Sequence, residues 1–239
     1  MDLHGAHITW LGHGTFTFTT PAGKSILLDP WVQGNPACPE DKKQLGKLDA
    51  VLITHGHGDH IGDALSIAAD SQPDQIVGIF ELAGWLESKG CANTVGINMG
   101  GTIEVAGTRV TMVRADHSCG ILDGDTILYG GQAAGYVIDF GNDLRVYVAG
   151  DTNVFGDMSI IGALYKPQVA ILPIGDFYTM GPREAAYATR LLGVETIIPA
   201  HFGTFPALTG TPEGLSQALE SMGLGNIAVH RLQPGETVE

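Results

Sequence analysis

Residues 54–60 read Thr54-His55-Gly56-His57-Gly58-Asp59-His60, which places three imidazoles and a carboxylate within six positions. Imidazole nitrogen and carboxylate oxygen are the side-chain donors preferred by a borderline divalent metal such as zinc. Gly56 and Gly58 let the backbone bend sharply between donors, so that successive side chains converge. The segment follows a buried-strand pattern, Ala50-Val51-Leu52-Ile53-Thr54, and precedes an apolar helical run, Ala64-Leu65-Ser66-Ile67-Ala68-Ala69. The donors therefore fall where a strand gives way to a helix, a place where open α/β folds build their sites. A polar turn with a chance run of histidines is the bland alternative, and the density of donors argues against it.

Working outward, strand patterns occupy His7–Leu11, Thr15–Thr19 and Ser25–Pro30, the last two separated by the turn Pro21-Ala22-Gly23-Lys24. After the histidine segment come a strand at Gln75–Ile79, a helix near Glu81–Ser88 and strands at Thr102–Val105 and Arg109–Arg114. The second half shows strands at Gly135–Phe140 and Arg145–Ala149, a polar turn, and a strand at Val169–Pro173. A helix over Pro182–Leu192 has proline in its first turn, and strand Thr196–Pro199, helix Pro212–Met222 and segment Ile227–Leu232 follow. Strand-rich meanders interleaved with helices in both halves predict an α/β protein of two sheets packed face to face, with helices outside. Glycine is plentiful at 34 but scattered among turns, and no linker is visible. One domain over residues 1–239, with two related halves, is expected.

Hydrophobic residues make up 44% of the 239 and charged residues 16%, which suits a compact enzyme and excludes a disordered chain. No apolar run approaches the length of a membrane span, and Met1-Asp2-Leu3-His4-Gly5 is no secretory signal. Cys38, Cys91 and Cys119 are odd in number and unpatterned, so a reducing cytoplasm is the expected location. The net charge is −14 and no Lys/Arg cluster exists, which counts against a nucleic-acid partner. Two bound divalent cations would add four positive charges at one spot, so a small substrate, anionic ones included, is compatible with the acidic exterior.

Three further donors also follow strand patterns. His117 lies in Ala115-Asp116-His117-Ser118 after Thr108–Arg114, Asp151 follows Leu144–Gly150, and His201 ends Thr196-Ile197-Ile198-Pro199-Ala200. Alone, an Asp there is ordinarily a turn former and a His a surface residue. Beside a four-donor turn, the three together favour a shared site.

The series His-x-His-x-Asp-His, a distant His, Gly150-Asp151-Thr152 and a late His resembles the metallo-β-lactamase superfamily. The resemblance runs from Trp10-Leu11-Gly12-His13 to Pro199-Ala200-His201-Phe202-Gly203-Thr204. Stretches such as Phe155-Gly156-Asp157-Met158 and Phe177-Tyr178-Thr179-Met180-Gly181-Pro182 are similar to an uncharacterised branch of metal-dependent hydrolases related to the ascorbate-6-phosphate lactonases. The resemblance implies an αββα sandwich, two mixed β-sheets flanked by helices, with metals at one edge. It implies that His55, His57 and His117 hold one metal, that Asp59, His60 and His201 hold the second, and that Asp151 bridges them. Asp59, Asp151 and His13 are the catalytic candidates. A bridging carboxylate holds two cations roughly 3.5–4 Å apart, and a water shared between them loses a proton near neutral pH to become the nucleophile. His57 stands where the superfamily's di-iron oxygen-reducing members carry Glu, so zinc hydrolysis is favoured, with manganese or iron as the alternative metals.

His13, in Gly12-His13-Gly14, is a candidate for substrate binding or proton transfer, weighed evenly against a hairpin cap. Asp29 in Leu28-Asp29-Pro30 is similar to the superfamily's first motif, an Asp that orients a metal-binding His. Asp176, Tyr178 and Met180 follow Val169–Ile174 and are expected to reach the pocket; Tyr178 is an oxyanion donor there or a packed aromatic. Cys119 is better read as a small buried side chain than as a ligand. Gly120–Thr126 is expected to be an exposed loop near the metals that restricts access. Trp31, Phe155 and Phe205 shape the pocket or pack the core. Three functions compete: a dinuclear hydrolase of a small ester, lactone or phosphoester; an RNA-processing nuclease, disfavoured by the charge; and a non-catalytic metal-binding scaffold, disfavoured because all seven donors are present. A homo-oligomer is compatible with each.

Overall fold

The computed structural model describes residues 1–239. Along the first half run β1 (His7–Gly12), β2 (Thr15–Thr19), β3 (Ser25–Leu28) and β4 (Ala50–Leu52), then helices α1 (Gly58–Ile61) and α2 (Ala64–Ser71). Strand β5 (Gln75–Ile79), helix α3 (Phe80–Ser88) and strand β6 (Thr94–Ile97) complete that half. The second half brings β7 (Thr102–Val105), β8 (Thr108–Arg114), β9 (Gly120–Asp123), β10 (Thr126–Tyr129), β11 (Ala134–Asp139) and β12 (Arg145–Val148). It continues with α4 (Met158–Tyr165), β13 (Val169–Pro173), α5 (Pro182–Leu192), β14 (Thr196–Ala200), α6 (Pro212–Ser221), β15 (Ala228–Val229) and β16 (Thr237–Val238).

Two seven-stranded sheets result, ordered β16-β1-β2-β3-β4-β5-β6 and β15-β14-β13-β12-β11-β8-β7, with β9 and β10 forming a separate hairpin. Each sheet is mixed: β1, β2 and β3 pair antiparallel and β3 to β6 parallel, while β7, β8, β11 and β12 pair antiparallel and β12 to β15 parallel. This is the αββα arrangement. Residues of both sheets share one core: Ile8, Phe16, Leu27 and Val51 from the first pack with Val110, Tyr136, Val146 and Ile171 from the second. Strand pleating then assigns the alternate residues to the outer layer. In β12 and β13, Val146, Val148, Val169 and Ile171 face the other sheet, whereas Tyr147, Ala170 and Leu172 pack beneath the helices with Met158, Ala185 and Leu215. Helix α5 buries Ala185, Ala188, Thr189 and Leu192 at three- and four-residue spacing, starts on Pro182 and ends where Gly193 turns left-handed at φ 68°.

Several expectations are corrected. Gly120–Thr126 is no loop: β9 pairs antiparallel with β10, Ile121 opposite Leu128 and Leu122 opposite Ile127. The presumed polar turn between Ala149 and Val169 contains α4, a helix too short and too uniformly apolar to show an amphipathic period. Strand β6 extends the first sheet beyond β5, and Ile227–Leu232 does not close the chain, because only Ala228 and Val229 are strand and β16 returns to pair with β1.

Parallel pairing aligns strand ends, and the alignment positions the site. His13 follows β1, Asp29 follows β3, and the 54–60 segment follows β4. His117 lies beyond β8, Asp151 beyond β12 and His201 directly after β14. All lie at one edge of the sandwich, the carboxyl ends of their strands.

Candidate metal centre

The chain reaches this edge through unusual backbone. His13, Asp29 and His201 adopt left-handed φ of 55°, 49° and 54°, each at the residue just beyond its strand. Asp and His tolerate that region better than most side chains, and each here turns sharply inward. Gly150, at φ 62°, does the same just before Asp151. Asp59 and His60 sit within α1, a single turn begun by His57.

The seven predicted donors come together. Nitrogens of His55, His57 and His117 lie within 4.8 Å of one another, and so do the ligand atoms of His55, His60 and Asp151. A third group joins Asp59, His60 and His201 with His13. Asp151 links the groups: Oδ1 is 3.3 Å from His60 Nε2, while Oδ2 is 3.1 Å from His201 Nε2, 3.7 Å from His117 Nε2 and 3.9 Å from His55 Nε2. His55, His60, Asp151 and His201 are buried, and His57, Asp59 and His117 are half-buried, so the cluster has a floor and an open side.

The nitrogens fit a cation better than they fit one another. His55 Nε2 faces His57 Nδ1 at 3.0 Å, and His117 Nε2 reaches the same atom at 3.3 Å. Buried His201 Nδ1 has no partner, and His60 Nε2 and His201 Nε2 meet only the Asp151 carboxylate, at 3.3 Å and 3.1 Å and out of hydrogen-bonding alignment. Unsatisfied buried nitrogens are costly and call for a partner at the centre of the cluster. Imidazole and carboxylate donors suit zinc, with manganese and iron also able to use them.

Surrounding groups fix the donors. Asp29 is 1% exposed; its Oδ1 accepts from the Thr54 amide and its Oδ2 from the Thr54 hydroxyl and His60 Nδ1, each at 2.7 Å. This leaves His60 Nε2 directed inward, the orienting role expected of Asp29. His13 is fully buried in the turn of the β1–β2 hairpin, and its side chain faces the cluster. Its Nε2 lies 3.0 Å from Asp59 Oδ2 and its Nδ1 3.0 Å from the Thr204 hydroxyl. Burial, reinforced by His201 and His60 against the opposing pull of Asp59, lowers the His13 pKa to about 4. Neutral His13 therefore donates from Nε2 to Asp59 and accepts from Thr204 at Nδ1. Asp59 stays ionised: the His13 hydrogen bond and His60 outweigh its own burial.

The titrations of three ligand histidines agree with metal ligation, and that of His60 runs the other way in the metal-free cluster. Burial and neighbouring imidazoles hold His55 well below the ordinary histidine value, and burial lowers His57 and His117 as well. Neutral imidazole is the form that binds a metal. Burial alone would also lower His60, but Asp151 and Asp29 raise it well above the ordinary value, while His60 and His201 keep Asp151 ionised despite its burial.

The open side leads into a cavity of about 690 Å³, floored by His57, Asp59, His117, Ser118 and Asp151 and walled by Tyr178, Phe205, Pro206 and Ala207. Of the expected wall residues, Tyr178 and Phe205 are there. Met180 is not, being 1% exposed in the core beneath the helices, nor is Asp176, whose carboxylate binds the adjacent Phe177 amide. Trp31 stands behind His13 with ring centroids 5.2 Å apart, and Phe155 packs under Arg114. Cys119 is buried, its thiol on the Gly130 carbonyl. Sequence reasoning passed over Thr54, Thr204 and Ser118; the first and third adjoin ligands, and Thr204 lies three residues beyond His201. Single hydroxyls carry no pattern of their own.

The fold and the site define a metal-dependent hydrolase of the metallo-β-lactamase superfamily: the chain belongs to the family described as "Beta-lactamase superfamily domain", whose profile matches residues 24–202. Its full-length relatives are UPF0173 metal-dependent hydrolases. One from Koribacter versatilis is 56% identical, covering 99% of each chain, and one from Solibacter usitatus is 50% identical, covering 97% of this chain and 99% of the other. Among solved structures, Igni18, a metallo hydrolase from the archaeon Ignicoccus hospitalis, superposes with a TM-score of 0.84 at 37% identity, covering 98% of this chain and 97% of that one. No helix is long and apolar enough to cross a membrane.

Proposed function

We propose that the cluster holds two divalent cations, zinc foremost, and hydrolyses a small ester, lactone or phosphoester. His55, His57 and His117 would hold one cation, Asp59, His60 and His201 the other, and Asp151 would bridge them. The position of Asp151 carries this reading, with one carboxylate within 4 Å of nitrogens from both sets. Bound there, the cations supply Lewis-acid polarisation of the scissile carbonyl or phosphoryl group and lower the pKa of water.

The chain's own groups supply position. His13 holds Asp59 by its Nε2–H, and the ionised Asp59 faces the cavity with its side chain 33% exposed, where it accepts a hydrogen bond from the attacking water. Thr204 fixes the His13 tautomer from behind. Tyr178, on the wall of the cavity, is the candidate donor to a developing oxyanion. The acidic exterior favours a small substrate over a nucleic acid, and three buried free cysteines suit a reducing compartment.

The test is a metal-loaded activity screen that pairs a lactone panel with bis-aryl and cyclic phosphodiesters. Turnover of at least one member, abolished by a chelator and restored by zinc, is expected. Complete inactivity of fully loaded protein would contradict hydrolysis and favour a metal-binding scaffold.

A further inference from the structure

The cavity above the cluster is chemically one-sided. Its charged and metal-binding groups are all on the floor, its walls are Tyr178, Phe205, Pro206 and Ala207, and neither lysine nor arginine lines it. Arg114, the basic residue at the nearby end of β8, is turned elsewhere: its guanidinium lies 3.7 Å from Asp116 and 5.7 Å from the Phe155 ring centroid. The chain as a whole carries −14.

The rim is built to stay apolar. Phe177 and Tyr178 are 71% and 57% exposed and meet edge to face with ring centroids 4.7 Å apart. The backbone beneath them is strained, with successive non-glycine residues Asp176 and Phe177 at φ 67° and 60°. It is also tied down: Asp176 accepts from the Phe177 amide at 2.7 Å and donates its own amide to Met180 O at 3.0 Å, and Met180 donates to Thr152 O at 3.0 Å. Strain of this kind persists only where surrounding contacts enforce it, and here the contacts hold two exposed aromatic rings together, Tyr178 on the cavity wall and Phe177 against it.

A reacting group on the floor would meet whatever positive charge the metals bring. The rest of the substrate would meet carbon. A phosphate or carboxylate on that remaining part would lose hydration without gaining a cation, whereas an alkyl or aryl part would gain about 0.8 kcal/mol for each buried methylene. We propose that the substrate is an uncharged carboxylic ester or lactone whose apolar substituent seats against Tyr178, Phe205, Pro206 and Ala207. This rests on the hydrolytic reading of the same site. Water adds to the acyl carbon, the acyl–oxygen bond breaks, and the departing oxygen keeps a proton from that water; no other reactant is consumed.

The test uses the metal-loaded protein with one leaving group throughout: 4-nitrophenyl acetate, butyrate and hexanoate against 4-nitrophenyl phosphate and bis(4-nitrophenyl) phosphate. With a burial gain of about fourfold per fully covered methylene, kcat/KM should rise at least about tenfold from acetate to hexanoate in this half-open cavity, and exceed both phosphoesters. In Phe205→Ser and Tyr178→Ser the hexanoate-to-acetate ratio should collapse towards one. Calorimetry with acetohydroxamate and hexanohydroxamate repeats the comparison without turnover, the longer ligand binding at least about tenfold tighter to the parent protein and not to the variants. Faster phosphoester turnover, or equal rates and equal hydroxamate affinities along the chain-length series, would overturn the proposal and leave hydrolysis standing. No turnover of any ester or phosphoester would overturn hydrolysis itself, and the proposal with it.

Discussion

Asp29 receives three hydrogen bonds through two oxygens, from the Thr54 amide, the Thr54 hydroxyl and His60 Nδ1. A charge buried that deeply is stable only while its partners are in place. Asp29→Asn keeps the shape but removes the charge that raises and orients His60, so metal affinity should fall about 10- to 100-fold in a chelator competition. The imidazoles also set a pH dependence for the metal-free protein. His13, His55, His57 and His117 all titrate below the ordinary value, so the unfolded chain binds more protons than the folded one between about pH 6.5 and their folded values. Their contribution is complete above pH 6.5 and is lost as pH falls, towards about 4 for His13, which alone contributes on the order of 3 kcal/mol. His60 acts oppositely, stabilising below pH 6.5 and losing that contribution as pH rises through its raised value. His13 alone therefore predicts a larger fall in Tm from pH 7 to pH 4.5 in the parent than in His13→Gln, measured by calorimetry on chelator-treated protein. Equal falls in the two would remove the buried, neutral His13 from the account.

At the scale of elements, strand ends explain why so much of the site was legible. A metal donor after an apolar strand is visible as a local pattern, and β4, β8, β12 and β14 each present one. The 54–60 segment is the densest case. What escaped was structure without local contrast. Helix α4 begins after Gly156-Asp157 with no side-chain cap, and its outer residues Ile160 and Leu164 are as apolar as its inner ones. Hairpin β9–β10 carries Leu122, Ile127 and Tyr129 outward, so its strands lack the alternation that marks a half-buried sheet. The role of His13 was undecidable locally because its partners, Asp59 and Thr204, come from distant segments. The turn leaving β12 supplies a test at this scale. At Gly150, φ is 62°, and a Cβ would lie 2.8 Å from Ala134 O and 2.9 Å from Thr54 Cβ. Gly150→Ala should therefore cost about 1–3 kcal/mol in denaturant unfolding and lower metal content, since Asp151 follows directly. Parent-like stability and metal content would show that the turn has no such constraint.

For the whole molecule, two mixed sheets pack so that the carboxyl ends of β4, β12 and β14 meet at one edge, and one carboxylate lies between the donor sets. The chain carries a net charge of −14, and it should not retain a structured RNA even at low salt, about 50 mM, in a gel-shift assay. Stable RNA binding there would revive the nuclease alternative. The central claim is that Asp151 joins two cations in one centre, and metal content in the parent and in Asp151→Ala tests it most directly. Elemental analysis of purified parent protein should find close to two equivalents of divalent metal, and Asp151→Ala should lose at least one of them together with its hydrolytic activity. Full metal and full activity in that variant would contradict the account.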